Sequence, residues 1–295
     1  MGRGKSEHNK QLVEAAYNIL SEIQPASIRA VCYRLFADGL VDSMSKNNTN
    51  RVSRQLVEAR EHGQIPWDWV VDESREPERQ GVWTSPAEFA EAAKHSFRRD
   101  AWQHQGKRIE VWSEKGTVRG TLAPVLQEYG VTLQVFHGYG SATVVKGAAI
   151  DSVSDPRPLK VFYVGDWDPS GLHMSEVDLQ ERLIRYGGAV NLIRLALTEE
   201  DIGPQLKSFE VNSKRSDPRW RWYRQLSVNK HGPYCWELDA LSPVVLRKRL
   251  ENAIKAEIEP EAWERTRRCE EAEQKSLAVF LDHWQSFSIP MPACE

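Results

Sequence analysis

Between Lys160 and Gly171 the chain reads KVFYVGDWDPSG, which places two carboxylates one residue apart, Asp166 and Asp168, directly after an apolar run. Lys160 to Val164 has the β-branched and aromatic content of a buried strand, and Pro169, Ser170 and Gly171 supply turn and helix-entry chemistry. Two such carboxylates turn toward one hard cation if the strand finishes there, and ligands of open α/β sheets gather at the carboxyl ends of strands. Taken alone, the pair equally fits an Asp-rich turn. A second strand-like run, RIEVWS from Arg108 to Ser113, leads into Glu114. One glutamate and an Asp-X-Asp pair, emerging from different strands onto one edge, make a three-carboxylate Mg²⁺ site of Glu114, Asp166 and Asp168.

Tyr33 is a second candidate. Arg29 precedes it by four residues, so the two side chains share a helical face. A phenol titrates near ~10 and needs a neighbouring cation or metal to become a nucleophile; without one, the residue is a packing tyrosine. Two basic clusters offer phosphate contacts. Arg51, Arg54 and Arg60 lie on one predicted helix, and Lys214, Arg215, Arg219, Arg221, Arg224 and Lys230 interleave with Trp220, Trp222 and Tyr223. A solvated helix face and a loop pinned by core tryptophans are the corresponding structural readings.

These residues need an α/β frame. From Asn9 to about Pro86 the spacing predicts three short helices: Leu12 to Leu20, Ile28 to Phe36 closed at Gly39, and Arg51 to Gly63. A strand over Trp67 to Val71 follows, so the region reads as a winged helix with its third helix as the recognition element. A boundary is expected in the proline-punctuated stretch ending at Pro86, before a helix over Ala87 to Gln103. Strands then alternate with helices: strands at Arg108–Ser113, Thr132–His137, Lys160–Gly165 and Ala189–Leu197, helices at Thr117–Gly130, Ser141–Ile150 and Ser170–Tyr186. That alternation means a parallel sheet. A helix over Ser242 to Ile258 carries Leu246, Leu250, Ile254 and Ile258 in one stripe of core or dimer type, and a C-terminal helix carries Trp263, Leu277, Phe280 and Trp284.

Composition bounds the rest. The chain has 295 residues, 40% hydrophobic, and a net charge of −3, so a polyanion has to meet a local basic patch. Four scattered cysteines without a CxxC suggest neither zinc nor a disulfide framework, and no apolar segment approaches the ~20 residues that span a bilayer. A soluble cytoplasmic protein with no membrane contact is expected.

Glu114 after a first strand and Asp166-Trp-Asp168-Pro-Ser-Gly171 after a third resemble the TOPRIM fold of topoisomerases, primases and some nucleases. More specifically, the chain resembles the A subunit of topoisomerase VI and its meiotic double-strand-break relatives, in which a winged helix with an Arg-X-X-aromatic-Tyr motif precedes the TOPRIM domain. Arg29 and Tyr33 match that motif's arginine and tyrosine, Ser113 to Gly116 (SEKG) its first metal motif, and Asp-X-Asp-Pro-X-Gly its second. Asn212 to Asp217 (NSKRSD) and Glu237 to Pro243 (ELDALSP) resemble downstream stretches of bacterial relatives. Ala30 and Cys32 stand where the family usually carries an acidic and an aromatic residue. The stand-alone, B-less "mini-A" type is the most similar.

The resemblance implies a winged-helix domain over 1–86 and a TOPRIM domain with a C-terminal helical extension over 87–295. It implies Mg²⁺-dependent cleavage of double-stranded DNA by Tyr33, with Arg29 at the scissile phosphate. Glu114, Asp166 and Asp168 would hold the metal, and Arg51, Arg54, Lys115, Lys214, Arg215 and Arg219 would meet DNA. It further implies a homodimer in which the tyrosine of one protomer meets the metal of the other, an ATPase partner for any full topoisomerase cycle, and a nucleoid-associated protein of a prokaryote, plasmid or phage. A TOPRIM nuclease using water, and a non-enzymatic DNA-binding protein, are the alternatives; three unmatched anions at one edge argue against the second.

Overall fold

The structure, a computed structural model, describes residues 7–71, 81–203, 206, 208–210 and 215–286. Its contacts divide the chain into two compact units, Met1–Arg75 with Lys107–Ala256, and Glu76–Gly106 with Glu257–Glu295. The boundary expected at 86/87 therefore lies inside the first stretch of the second unit.

The first unit opens with helices α1 (Glu7–Ile23), α2 (Ile28–Ala37) and α3 (Lys46–Glu61). Ser27 and Ser45 cap α2 and α3 by accepting from the amides of Ala30 (3.1 Å) and Asn48 (3.4 Å). Leu12, Ala16 and Leu20 from α1, Val31 and Leu35 from α2, and Val52, Leu56 and Ala59 from α3 close one core. Trp67 to Val71, expected as a strand, forms instead a 3₁₀ turn at Trp67–Trp69 and one parallel bridge from Val70 to Ala26. The turn's cause lies nearby: Arg60 stacks over the Trp67 ring at 4.2 Å and donates to the Trp67 carbonyl (3.3 Å).

The same unit continues as an α/β layer. Strands β1 (Arg108–Ser113), β2 (Thr132–Val135), β3 (Leu159–Val164) and β4 (Val190–Ala196) pair in parallel in the order β2-β1-β3-β4. Between them run α5 (Val118–Tyr129), α6 (Ala142–Ser154), and α7 (Pro169–His173), which passes through a π-helical segment at Met174–Asp178 into α8 (Leu179–Arg185). Trp112, Leu159, Val161 and Tyr163 face Val145 and Ala149 of α6 and Leu179 and Leu183 of α8. The alternate positions, Ile109, Val111, Phe162 and Val164, are also buried. A sheet apolar on both faces is the burial pattern of parallel strands covered by helices. Downstream come β5 (Phe209–Glu210), α9 (Trp220–Tyr223), α10 (Asn229–His231), β6 (Tyr234–Cys235) and α11 (Pro243–Lys255), with β5 and β6 antiparallel. The stripe Leu246, Leu250 and Ile254 on α11 is buried, and α11 packs on α5. The stripe is therefore core.

In the second unit, α4 (Pro86–Ser96) packs on α12 (Pro260–Ser286). The helix expected to reach Gln103 ends at Ser96, and the chain turns so that Trp102 meets Trp263 edge to face at 5.6 Å. Phe280 and Trp284 of α12 stay exposed.

Arg247 of α11 fastens α1 to the α/β layer. Its guanidinium donates to the carbonyls of Ile23 (3.0 Å), Gln24 (3.1 Å), Pro25 (3.1 Å) and Thr121 (3.4 Å), where the negative end of the α1 dipole favours a cation. No carboxylate neutralises it among the described residues, and burial lowers its pKa. Arg247→Met keeps the stem and removes these donations, and it should destabilise the fold by ~2–3 kcal/mol. Urea unfolding measures this, with an unchanged denaturant slope showing that the unfolded state is unaffected.

Candidate active site

Strand order decides where a ligand can enter. From β1 the chain moves first outward to β2 and then back across to β3, so β1 and β3 are neighbours that diverge at a topological switch point, the usual binding crevice of such sheets. Ser113 pairs with Val164 at the last register position, which delivers Glu114 and the Gly165–Asp168 turn to the same edge. Beyond β3, Trp167 forms an antiparallel bridge with Trp236: its amide donates to the Trp236 carbonyl (2.8 Å), and the Trp236 amide donates back (3.0 Å). That bridge carries Glu237, Leu238 and Asp239 onto the edge as well.

Asp166 is 6% exposed and fully engaged. Its Oδ1 accepts from the Leu238 amide (2.8 Å), and its Oδ2 pairs with Lys115 Nζ (2.7 Å), which also lies 3.5 Å from Asp239 Oδ2. Burial pushes the Asp166 carboxyl up, against the pull of Lys115. For Lys115, burial opposes the charge, but Asp166, Asp239 and Glu237 outweigh it and hold the ammonium above its ordinary value. Asp168 caps α7, accepting from the Gly171 amide (2.7 Å).

Glu114 carries the mismatch. No described residue donates a hydrogen bond to its carboxylate, and burial together with the anions of Asp166 and Asp168 pushes its pKa up to about 7. Gly171 keeps the space beside it open: a Cβ there would stand 2.6 Å from the Asp166 carbonyl oxygen and 3.1 Å from Glu114 Oε1. Glu114, Asp166 and Asp168 are oxygen donors of the type that a hard divalent cation takes. In this conformation, among the described residues, no group of three or more His, Cys, Asp or Glu side chains is gathered to hold a metal. Lys115 occupies Asp166 instead.

Arg194 sets the turn from beneath. The pairing of β3 with β4 shifts after Tyr163, so Tyr163 faces Arg194 and Val164 faces Ala196. Arg194 then donates to the carbonyls of Gly165 (3.1 Å), Asp166, Gly171 (3.3 Å) and Leu197 (2.7 Å) and to Ser175 Oγ (2.5 Å). An arginine within VNLIRLA is the one sequence signal for it.

Tyr33 is 3% exposed, and among the described residues its phenol oxygen has no hydrogen-bond partner. Burial and the Glu237 anion push its pKa far above the ordinary phenol value; Arg29, stacked 5.9 Å from the ring centroid, pulls the other way. Arg29 Nε donates to Glu237 Oε2 (2.5 Å) and stands 3.9 Å from Asp239 Oδ2, and Ser27 Oγ donates to Asp239 Oδ1 (3.2 Å). Within one chain, therefore, the tyrosine's helix and the carboxylate edge grip the same Glu237–Asp239 turn.

No family model, curated protein or solved structure matches this chain.

The expected phosphate contacts are dispersed. Arg54 is exposed on α3, while Arg51 is half-buried with its Nε unpartnered. Lys115 is held by two aspartates. Arg215 is exposed, and Lys214 lies outside the described residues. Arg219 is spent on Asp217 (3.2 Å) and on the Tyr139 ring (4.2 Å). Tyr223 is buried, its hydroxyl donating to the Tyr234 carbonyl (2.8 Å), and Trp222 packs on His173. These aromatics pin the segment down. Glu237 and Asp239 stood inside the ELDALSP stretch, but nothing local in the sequence assigned them charge partners.

The sign of the Glu114 shift gives a test in chelator-treated protein. Its folded pKa of about 7 exceeds the ordinary carboxyl value of 4.5, so the stabilisation is complete at acid pH and is lost as pH rises through about 7. Glu114→Gln has no such loss. Relative to wild type it should gain on the order of 1–3 kcal/mol between about pH 5 and about pH 8, read from denaturant melts at each pH.

Proposed function

We propose that the chain is a DNA-cleaving enzyme resembling the topoisomerase VI A subunit, with α1 to α3 serving as a winged-helix module and the parallel sheet as a TOPRIM module. The observation that supports this reading is that Lys115, next to Glu114 and paired with Asp166, and Arg29 of the Tyr33 helix both reach Asp239. Glu114, Asp166 and Asp168 would hold Mg²⁺. Bound there, the ion supplies electrostatic stabilisation of the charge that builds on the phosphoryl and leaving oxygens.

The chain's own residues divide the remaining work. Arg29, released from Glu237, orients the scissile phosphate and favours the phenolate. Tyr33 Oη bonds to phosphorus as the sugar oxygen leaves, the phenol proton passing to solvent and the sugar oxygen taking one from it; reversal religates the strand. Exposed Arg54 and Arg215 would contact duplex phosphates. A homodimer would cut both strands, and an ATPase partner would be needed for a strand-passage cycle. The burial of Tyr33 and the anion beside it favour a second reading, in which water attacks and Tyr33 packs α2.

Tyr33→Phe separates the two. The lost oxygen makes no hydrogen bond, so the fold should keep its stability to within ~1 kcal/mol. On the transesterase reading, end-labelled DNA incubated with Mg²⁺ migrates with wild-type protein in denaturing gels, while the variant makes neither adduct nor breaks. Undiminished cutting by the variant, with no label ever on the wild type, leaves a metal-dependent nuclease.

A further inference from the structure

Asp166 contributes two oxygens to the edge, and each already accepts, one from the Leu238 amide and one from Lys115 Nζ at 2.7 Å. Each oxygen keeps a lone pair, but a cation that uses Asp166 meets the Lys115 ammonium at close range and is repelled by it. The amide is fixed by the backbone of the 3₁₀ turn Leu238–Ala240, directly after the Trp167–Trp236 bridge. The ammonium is at the end of a flexible stem, and it already has a second acceptor, Asp239 Oδ2, at 3.5 Å. A shift of an ångström or so toward Asp239 would free Asp166 Oδ2 without exposing an unpaired charge.

We propose that Lys115 is a resident cation that a divalent ion displaces from Asp166, with Asp239 receiving the displaced ammonium. This inference rests on the metal site of the proposed function and goes beyond it in assigning Lys115 and Asp239 to metal entry rather than to DNA. The consequence reaches α2. Asp239 also accepts from Ser27 and faces Arg29 at 3.9 Å, so an ammonium arriving there competes with Arg29 for the same carboxylate. Metal entry thereby loosens the arginine beside Tyr33.

The test is a calorimetric titration of the full chain with Mn²⁺ alone at neutral pH, without DNA, in which two substitutions move affinity in opposite directions. Lys115→Met removes the competing cation and should tighten Mn²⁺ binding ~10-fold or more, with a larger gain in melting temperature at saturating metal. Asp239→Asn leaves the competitor but removes its refuge, and should weaken binding ~10-fold although Asp239 touches no metal. Wild-type affinity in both variants, or a change in the same direction, overturns the displacement and leaves the metal site standing. Absence of Mn²⁺ binding in wild type and in both variants overturns the metal site and the displacement together. Should Lys115→Met fail to fold without metal, the Asp239→Asn arm alone decides, since a merely structural role predicts no loss of affinity.

Discussion

A carboxylate buried as deeply as Asp166 has to be matched by donors drawn from elsewhere in the chain, because an unpaired charge at that depth would cost several kcal/mol. Its two partners come from the end of β1 and from the turn after Trp236, segments roughly fifty and seventy residues away in sequence. Pairing them pulls three parts of the unit onto one edge. The same turn, through Glu237 and Asp239, then captures Arg29 and Ser27 of α2. One buried anion thus fixes how the three-helix segment meets the sheet, and Arg247 clamps the end of α1 from the other side.

The backbone beneath this edge is held by a second cation of a different kind. Arg194 makes its bonds to carbonyls and one hydroxyl, and burial lowers its pKa, so it serves as a multidentate donor for a turn with few internal bonds. It reaches there because the β3–β4 register shifts at Tyr163. Such irregularities re-aim side chains beside functional edges. The π-helical segment at Met174–Asp178, which contains Ser175, lies against the same guanidinium.

Local signals made the strands, the parallel sheet and the placement of Glu114, Asp166 and Asp168 legible, since β-branched runs, Asp-Pro helix entry and Gly171 all act over a few residues. The Trp67–Val71 segment misled because its aromatic content suits a strand, whereas Arg60 stacking on Trp67 winds it into a turn. The pairing of 76–106 with the C-terminal helix depends on contacts such as Lys94 with Asp282 and Arg99 with Glu273. These unite residues far apart in sequence, and no window of sequence carries them. The charge partners of Lys115 were hidden for the same reason. A lysine beside a glutamate reads as a phosphate contact until the fold brings two aspartates to it.

Charge at the edge also bears on the order of events that any nucleic-acid chemistry here would follow. Arg29, Lys115 and Arg194 stand against five carboxylates, Glu114, Asp166, Asp168, Glu237 and Asp239, so the fully ionised edge is net negative. A phosphate backbone meeting that edge is repelled, and the repulsion is strongest beside Glu114, the carboxylate without a donor. Either protons or a cation must arrive first. With its pKa pushed up to about 7, Glu114 takes up about half a proton near neutrality, about a quarter of the two-charge excess. A divalent ion would answer it fully and, on the proposed displacement of Lys115 toward Asp239, would also shift positive charge toward α2, where Arg29 and the buried Tyr33 lie. On the proposed function, metal binding would therefore precede engagement of the scissile phosphate, and the buried Tyr33 would become available only after that cation had arrived.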